Sequence, residues 1–450
     1  MGVTMQGIAI AFAFVIFASV SFVVEAREIR SVAPDREGFS QDRLKRITEH
    51  MNDRVEDGTM VGGMGLIARN GNIVYQEVYG LADRDAQRAM EEDAIYRIYS
   101  MSKPITAAAV MMLYEESKFF LNDPVAQYIP QMANLEVALS TAGTNQVSDG
   151  TVSRAVGQGD DSLKGQTRAP RRQPTVRHLM SHTAGLTYGI FGNTEVDQLY
   201  REAGLLGEMD LQEFVTRLGK IPLQYEPGTQ WHYSVGVDVQ GRLVEELSGM
   251  KFSAFLKERL FDPLDMRDTA FSATPDQLPR LAQLYAPKGT AGGGFTAQST
   301  GPGLDVAAPD TSRRFVEGAT FESGGGGLLS TARDYLRFAQ MLLNGGELDG
   351  VRILSPKTIE LMTTNHLGDI PMGFGRNGAG FGLGFGLVLD PGQTGEVSSA
   401  GEYNWGGAAG TRFWIDPEEN LIGIFMVQSL PHRTRLGTEF KHLTYQAMVD

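Results

Sequence analysis

The spacing of apolar and polar positions predicts strands near both ends of the chain and helices between them. Near the start, a helical pattern is followed by two β-rich runs joined at Asn70-Gly71-Asn72, and an Asn-Gly connection of this kind is a strong hairpin signal. The predicted strands are 61–69, 73–79, 382–389, 411–415 and 421–428. The predicted helices are 40–56, one beginning near Ser100, 175–182, 211–218, 233–247, one following Thr331, and one carrying Leu436, Phe440 and Leu443.

This order of elements predicts an α/β (α+β) fold in which one antiparallel sheet is built from both ends of the chain and flanked by helices. We predict an α/β domain from residues 27–120 plus 315–450. Residues 121–314 are predicted to form an inserted, mainly helical domain. Two polar stretches at 140–174 and 287–313 are predicted to be long loops, which in compact domains are usually functional lids or disordered segments.

The first 26 residues are typical of a targeting segment. Residues 8–24 form a continuous apolar run, and Val24-Glu25-Ala26 is a small-x-small site, so we expect a signal peptide cleaved after Ala26. The run is slightly shorter than the ~20 residues that span a bilayer. An uncleaved anchor that associates with the membrane through residues 8–24 is the alternative. Both interpretations predict export to the periplasm or the cell exterior.

Charge and composition exclude several function classes. Lys plus Arg total 40 and Asp plus Glu total 54, which gives a net charge of −14. Such an acidic chain lacks the basic stripe that neutralises phosphates, so we expect no nucleic-acid partner. It has no cysteine, which excludes a thiol nucleophile and thiolate metal sites. It also lacks an HExxH zinc motif and a GxSxG nucleophile elbow, and we expect neither metal nor cofactor.

The sharpest chemical signal is Ser100-Met101-Ser102-Lys103. Positions i and i+3 share a helix face, so Lys103 is expected beside Ser100. A serine hydroxyl needs an adjacent base, and lysine becomes one when burial and nearby positive charge lower its pKa. A lone S-x-x-K match is more often a solvated helix start than a catalytic pair, so other motifs in the chain are needed to distinguish these two interpretations.

Two further segments supply that context. Tyr233 lies just before a predicted helix, where a phenol can relay a proton, although such a tyrosine more often only packs. The segment Trp405-Gly406-Gly407-Ala408 precedes a predicted strand pair. Its glycines would let a substrate approach an edge strand and would expose an N–H as an oxyanion donor. A glycine bulge beside a packed tryptophan is the structural alternative.

Together these three segments resemble the β-lactamase-like serine hydrolase superfamily, which includes class C β-lactamases, D-Ala-D-Ala carboxypeptidases and family VIII carboxylesterases. Segments at 177–186, 261–269, 323–338 and 343–350 are similar to further motifs of that family. The resemblance extends from about Arg43 to the C-terminus, apart from the two polar loops. It implies the β-lactamase/transpeptidase-like fold.

The resemblance also implies roles for individual residues. Ser100 matches the nucleophile, Lys103 its partner and Tyr233 the tyrosine of the family's Y-x-N motif. The general base is either Lys103 or Tyr233. Trp405-Gly406-Gly407 matches the substrate-binding K-T-G motif, and the backbone N–H groups of Ser100 and Ala408 would form the oxyanion hole.

Two departures from the family pattern indicate the substrate. Trp405 replaces the lysine of K-T-G, which removes a cation that would meet a substrate carboxylate. Val235 replaces the asparagine of Y-x-N, which removes a hydrogen-bonding partner for a substrate amide. Both changes make the predicted substrate-binding cleft more apolar. We therefore expect hydrolysis of small neutral esters with short acyl chains, with weak hydrolysis of β-lactams through the shared machinery.

Two alternatives to this assignment remain open from the sequence. The first is a β-lactamase or D-Ala-D-Ala carboxypeptidase-type amide hydrolase. The second is a non-catalytic scaffold of the same fold, although serine, lysine and tyrosine are all present. His178, His182 and His232 could suggest a histidine base, but the family uses no histidine base at these places, and we interpret all three as structural.

Overall fold

The computed structural model describes most of the chain after residue 27. The described residues are Gly2, 28–139, 147–148, 151–152, 166–290, 298–309 and 313–450. The apolar run at 8–24, predicted to be a signal peptide or anchor, lies outside them, as do parts of the two predicted loops. No helix of the described part is long and apolar enough to cross a membrane.

An antiparallel sheet of eight strands, counted over the described residues, forms the centre of the structure. Its strands are β1 (Gly62–Arg69), β2 (Asn72–Asp83), β3 (Arg88–Ala89), β4 (Ala379–Phe381), β5 (Gly386–Val388), β6 (Tyr403–Gly406), β7 (Arg412–Asp416) and β8 (Leu421–Val427). Their spatial order is β4-β5-β6-β7-β8-β1-β2-β3. The register of β1 on β8 runs from Gly63 opposite Val427 to Arg69 opposite Leu421. The two ends of the chain therefore meet in the middle of the sheet, which confirms the predicted fold class.

Helices flank the sheet and dominate the middle of the chain. They are α1 (Gln41–Glu56), α2 (Ser102–Glu115), α3 (Val176–Met180), α4 (Glu195–Glu202), α5 (Leu211–Leu218), α6 (Gly236–Ser248), α7 (Phe252–Leu256), α8 (Arg313–Glu317), α9 (Ala332–Leu343), α10 (Pro356–Met362), α11 (Pro391–Thr394) and α12 (Leu436–Gln446). Single turns of 3₁₀ or π type lie at Pro34–Glu37, Tyr99–Met101, Val125–Gln127, Pro130–Met132, Lys257–Phe261 and Leu278–Arg280. The domain division itself stays a prediction.

Short strand pairs outside the main sheet include local hairpins as well as pairs between distant parts of the chain. They are Tyr96–Arg97 with Leu329–Ser330, Val137–Ala138 with Thr167–Arg168, Val147–Ser148 with Thr151–Val152, Tyr285–Pro287 with Leu304–Val306, and Glu347–Leu348 with Val351–Arg352. The first pair fixes the chain just ahead of Ser100 against the segment that leads into α9. It therefore helps to position the start of α2.

Both faces of the sheet are covered, because successive side chains of a strand point to opposite faces. On β7, Trp414 packs in the apolar cluster formed with α1 and α12, whereas Phe413 and Ile415 belong to the larger cluster on the other face. That larger cluster contains α2, α6 and α9. The layering is thus helices, sheet, helices.

Helix α2 is buried almost all round, which follows from its continuous apolar sequence from Ile105 to Leu113. Twelve residues of its fourteen are buried, including the polar side chains of Lys103 and Thr106. A charged side chain placed this deep needs hydrogen-bond partners of its own. The burial of Lys103 therefore depends on the groups around it that accept its hydrogen bonds.

One predicted strand is shorter than expected. Residues 382–389 form a turn followed by β5, which pairs with β4 as a hairpin. Glycines at this turn permit close backbone approach, since a Cβ at Gly382 would lie 2.1 Å from the carbonyl oxygen of Met362. Gly384, with a φ of +93°, adopts a conformation that side chains rarely allow. The apolar run from 382 to 389 was long enough for a single strand. The spacing of its apolar residues gave no sign of the turn.

Candidate active site

An open cleft of about 380 Å³ lies where the N-terminal end of α2 meets the end of β6. Ser100 and Tyr233 line one side of the cleft, and the segment from Asn404 to Ala408 lines another. The start of α12 closes a third side. The cleft thus gathers the three segments that the sequence analysis singled out.

Ser100, Lys103 and Tyr233 form one hydrogen-bonded group. The Nζ of Lys103 donates to the Oγ of Ser100 over 3.0 Å, and the phenol of Tyr233 donates to the same oxygen over 2.7 Å. Lys103 also donates to the carbonyl oxygen of Gly325 over 2.6 Å. Its side chain is fully buried, with Nζ 4.5 Å from the centre of the Tyr233 ring. The predicted pairing at i and i+3 is therefore present in space.

The backbone at Ser100 is bent into a 3₁₀ turn, Tyr99–Met101, rather than the first turn of an α-helix. Tyr99 has a φ of +42°, a left-handed conformation that costs a bulky residue energy and persists only where packing enforces it. Its ring packs edge-on against Phe315, with ring centres 5.8 Å apart. The turn presents the Ser100 side chain to the cleft ahead of α2, whose dipole favours negative charge there.

The segment after β6 approaches this turn closely. A Cβ at Gly407 would lie 2.4 Å from the carbonyl oxygen of Ile98, so only glycine fits. Thr411 completes the contact by donating to the same Ile98 oxygen over 3.3 Å. Among the described residues, the N–H of Ala408 has no hydrogen-bond partner, and Ala408 lines the cleft together with Ser100. These are the properties required of an oxyanion donor.

The sheet corrects one detail of the sequence analysis. β6 is not an edge strand, because it lies between β5 and β7. However, β5 pairs only with Tyr403 and Asn404, which leaves Trp405 and Gly406 without a strand partner on that side. The end of β6 is therefore open to the cleft even though the strand itself is internal.

Trp405 is packed and also hydrogen-bonded to the Ser100 group. Its Nε1 donates to the hydroxyl of Tyr233 over 3.3 Å, and its ring contacts Phe381 edge-on with ring centres 5.2 Å apart. The side chain is only 7% exposed. The Tyr233 ring is further surrounded by the aromatic rings of His182, Tyr188, Phe191, Trp231 and Phe374. Trp405 thus forms an apolar wall that also orients the tyrosine.

The buried carboxylate of Asp238 fixes the position of Gly325, whose carbonyl oxygen accepts from Lys103. Sequence reasoning did not identify this carboxylate. Asp238 Oδ1 accepts hydrogen bonds from the Oγ of Ser323 over 2.5 Å and from the N–H of Gly325 over 3.0 Å. Burial raises the pKa of Asp238, and the neighbouring hydrogen bonds and Lys103 oppose this rise. The carbonyl of Gly325 therefore has a fixed position for Lys103. The run of four glycines at 324–327 was the available signal, since a Cβ at Gly325 would lie 2.7 Å from the hydroxyl of Tyr188.

Val235 does not occupy the predicted substrate-binding position. The residue is fully buried at the N-cap of α6 and is not among the residues that line the cleft. Its backbone N–H donates to the carbonyl oxygen of Thr187 over 3.2 Å, which fixes the segment with the side chain in the apolar core. The expectation that Val235 faces the substrate is therefore wrong for this structure.

The three histidines near the motifs bond to other partners than Ser100. His178 closes a capping box at the start of α3 with Thr175, and burial, aided by two nearby arginines, lowers its pKa to about 4. His182 is fully buried, which holds its pKa well below the usual value, and its Nδ1 lies 3.3 Å from the Oγ of Ser234. His232 Nε2 lies 3.3 Å from the Oγ1 of Thr187. This geometry agrees with the structural roles inferred from the sequence.

Arginines are the feature of the cleft that sequence reasoning missed. Arg376, Arg412 and Arg435 line it, and no aspartate or glutamate is among the described residues that do so. They come from three separate segments of an acidic chain, so neither the net charge nor a local motif indicated them. The described part of the chain contains no group of three or more His, Asp or Glu side chains that could hold a metal ion.

Comparison with known proteins gives consistent matches along the chain. A family model described as Beta-lactamase matches residues 47–446. Protein Rv1367c of Mycobacterium tuberculosis (strain ATCC 25618 / H37Rv) is 30% identical over 386 residues, covering 83% of this chain and 87% of that protein. Esterase EstB of Burkholderia gladioli is 30% identical over 400 residues, covering 85% and 90%. The solved structure of EstCE1, a hydrolase with promiscuous acyltransferase activity, matches with a TM-score of 0.70 at 24% identity, covering 90% of this chain and 99% of that one.

Proposed function

The chain belongs to the Beta-lactamase family, and on that premise we propose that it is a serine hydrolase that cleaves small carboxylic esters through an acyl-Ser100 intermediate. The observation that carries this proposal is the Oγ of Ser100, which accepts hydrogen bonds from both Lys103 and Tyr233 beside the unpartnered N–H of Ala408. A nucleophile, candidate bases and an oxyanion donor thus surround one point in the cleft.

The reaction follows from these contacts. The base is Lys103 as the neutral amine or Tyr233 as the phenolate; it takes the proton of the Ser100 hydroxyl as Oγ attacks the ester carbonyl, and the oxyanion formed is stabilised by the N–H groups of Ser100 and Ala408. The bond from the carbonyl carbon to the alcohol oxygen then breaks, and the alcohol leaves with the proton returned through Tyr233. Water adds to the acyl group in the same way, so that the carboxylic acid leaves and Ser100 regains its proton.

Esters fit this cleft better than amides for two reasons. Trp405 supplies an apolar wall and a single N–H donor that is already directed at Tyr233, so it cannot replace the lysine that meets a carboxylate in related β-lactamases. The esterase named among the relatives, EstB, supports the same substrate class. Amide hydrolysis of the β-lactamase or D-Ala-D-Ala carboxypeptidase type is the second candidate, since it would use the same acylating groups.

The experiment that tests the proposed function is labelling with a fluorophosphonate, followed by intact mass measurement and peptide mapping. We expect one adduct on Ser100, turnover of p-nitrophenyl butyrate well above that of nitrocefin, and loss of both label and turnover in Ser100→Ala. Ser398→Ala is the matched control, because that hydroxyl bonds only to the nearby carbonyl of Glu396 and lies outside the cleft. Turnover by Ser100→Ala within tenfold of wild type would exclude Ser100 as nucleophile.

We also propose that the protein is exported, through the apolar run at residues 8–24. The support is the sequence of that run and the small-x-small site at its end. A retained run would associate the enzyme with a membrane, and a cleaved one would release it.

A further inference from the structure

The charge of the cleft is opposite to the charge of the chain. Three arginines line it and no described acidic residue does, whereas the whole chain carries a net charge of −14. A cleft lined by one sign of charge concentrates the electric field and attracts ligands of the other sign. The cleft is therefore arranged for an anion, even though Trp405 occupies the place where a lysine was expected.

The three arginines differ in their partners. Arg412 is neutralised, because it donates to Glu396 over 2.9 Å and to Thr438 over 2.7 Å. Arg376 and Arg435 are exposed, and among the described residues neither side chain forms a hydrogen bond or an ion pair at contact distance. The carboxylate of Glu396, which is already paired with Arg412, acts on Arg376 only at longer range. An unpaired guanidinium in a cleft retains its full capacity to bind a carboxylate through two parallel hydrogen bonds.

Arg376 is carried to the cleft by a packed loop, residues 370–378. Phe374, with a φ of +66°, places its ring 5.2 Å from the ring of Trp231 and 5.7 Å from that of Tyr233. Gly373 lies so close to Trp231 that a Cβ there would approach the indole to 2.6 Å. The loop is therefore anchored in the aromatic cluster around Tyr233, and Arg376 has a defined place at its tip.

The position of Arg376 indicates which part of the substrate it meets. Its guanidinium carbon lies 5.9 Å from the centre of the Trp405 ring, and Trp405 in turn donates to the hydroxyl of Tyr233. In the proposed reaction Tyr233 returns the proton to the departing alcohol, so Trp405 and Arg376 lie on the alcohol side of Ser100. An acyl chain would lie away from this side.

We propose that Arg376 is a specificity-determining residue that binds an anionic group on the alcohol part of the ester. The preferred substrates are then esters of alcohols or phenols that carry a carboxylate, with a small uncharged acyl group. This inference rests on the proposed function, and it replaces the expectation of wholly neutral esters. Arg376 supplies the positive charge that a lysine at position 405 would have supplied and that Trp405 lacks.

The test compares two chromogenic esters, 3-carboxy-4-nitrophenyl butyrate, which carries a carboxylate, and its uncharged methyl ester. The rate of each is first divided by its rate of hydrolysis in hydroxide to remove the difference in leaving-group reactivity. Both give the same butyryl enzyme, so a difference in kcat/KM arises in recognition or acylation. We expect the carboxylate ester to be favoured by about tenfold, with the preference falling as sodium chloride is raised. Arg376→Gln should abolish the preference for the carboxylate ester, and Arg376→Lys should retain part of it because the charge remains.

The controls separate this inference from the proposed function. Arg36→Gln removes an exposed arginine outside the cleft and should leave the preference unchanged. Binding of the two esters to Ser100→Ala, measured by calorimetry, reports recognition even if no ester is turned over. A preference that survives Arg376→Gln, or that is absent in both kinetics and binding, would overturn the assignment of Arg376. Failure of the fluorophosphonate to label Ser100, with the binding preference intact, would overturn the esterase proposal and leave the anion site standing.

Discussion

Replacing Tyr233 with phenylalanine removes a single hydroxyl from the centre of the site and leaves its packing in place. The ring keeps its contacts with the six aromatic rings around it, including Trp405 at 5.6 Å and His182 at 4.9 Å between ring centres. What disappears is the 2.7 Å hydrogen bond to Ser100 and the acceptor for the Nε1 of Trp405. The variant therefore tests the chemistry of the phenol rather than the fold.

The two effects of the variant differ in size. Leaving the indole N–H without a partner costs about 1 kcal/mol of the free energy of unfolding. In a chain of this length that corresponds to a fall in Tm of about 1 °C. Loss of a proton-transferring group lowers the rate by about 10² to 10⁴, equivalent to roughly 3–5 kcal/mol of transition-state stabilisation. We therefore expect a large loss of kcat/KM in a protein that remains folded.

The choice of leaving group lets the assay distinguish proton donation to the departing alcohol from activation of Ser100. p-Nitrophenolate departs readily without a proton, whereas an alkoxide does not, so Tyr233→Phe should reduce turnover of ethyl butyrate more than turnover of p-nitrophenyl butyrate. Tyr225→Phe is the matched control, because that phenol accepts a hydrogen bond from Gln224 and does not line the cleft. Activity of Tyr233→Phe within tenfold of wild type on both esters would refute the proton-relay role. An equal loss on both esters would restrict that role to activation of Ser100.

Three further predictions follow from the same structure. Trp405→Lys should lose activity on p-nitrophenyl butyrate and raise the ratio of nitrocefin to ester turnover by about tenfold, or 1.4 kcal/mol, and an unchanged ratio would mean that Trp405 does not face the substrate. Because the pKa of His178 falls to about 4 in the folded state, neutral His178 stabilises the fold above its unfolded pKa of 6.5, and this contribution is lost as pH drops toward 4. In chemical unfolding, the loss of stability between pH 7.5 and 4 should be smaller in His178→Asn than in wild type by up to about 3 kcal/mol, and the remaining loss comes from other histidines whose pKa is also lowered, such as His432. Mature protein from a bacterial host should begin at Arg27, and N-terminal sequencing that reads from Met1 would favour the anchor.

Elements with strong local signals were predicted well. Helix α5 has the predicted bounds, 211–218, and α9 begins where the side chain of Thr331 accepts from the N–H of Asp334. The predicted helix 233–247 is followed in the structure by Gly249, which adopts the left-handed conformation after α6, with a φ of +70°. In each case the information lies within one turn of chain. Local hydrogen bonding therefore decides the boundary, and the sequence can show it.

The hydrogen-bonded group of Ser100, Lys103 and Tyr233 was also accessible to sequence reasoning, for a related reason. Ser100 and Lys103 are three residues apart, so any helical turn brings them together. Tyr233 could be added only through the resemblance to a family, because 133 residues separate it from Ser100. Val235 shows where the transfer of a role from a family motif to a residue of this chain can fail. Its position in the motif was correct, but the side chain turns into the core rather than the cleft.

The cations of the cleft show why a motif alone gives an incomplete account of specificity. In the sequence, the replacement of the K-T-G lysine by Trp405 indicates only that a positive charge is lost. In space, the indole provides the surface over which Arg376 extends, at 5.9 Å, from a loop that the motif does not include. A guanidinium stacks favourably on an aromatic face, whereas a lysine at position 405 would repel it. Trp405 and Arg376 are therefore better understood as one arrangement, in which the cation has moved from the strand to the loop, and a change at either position should alter the charge preference of the other.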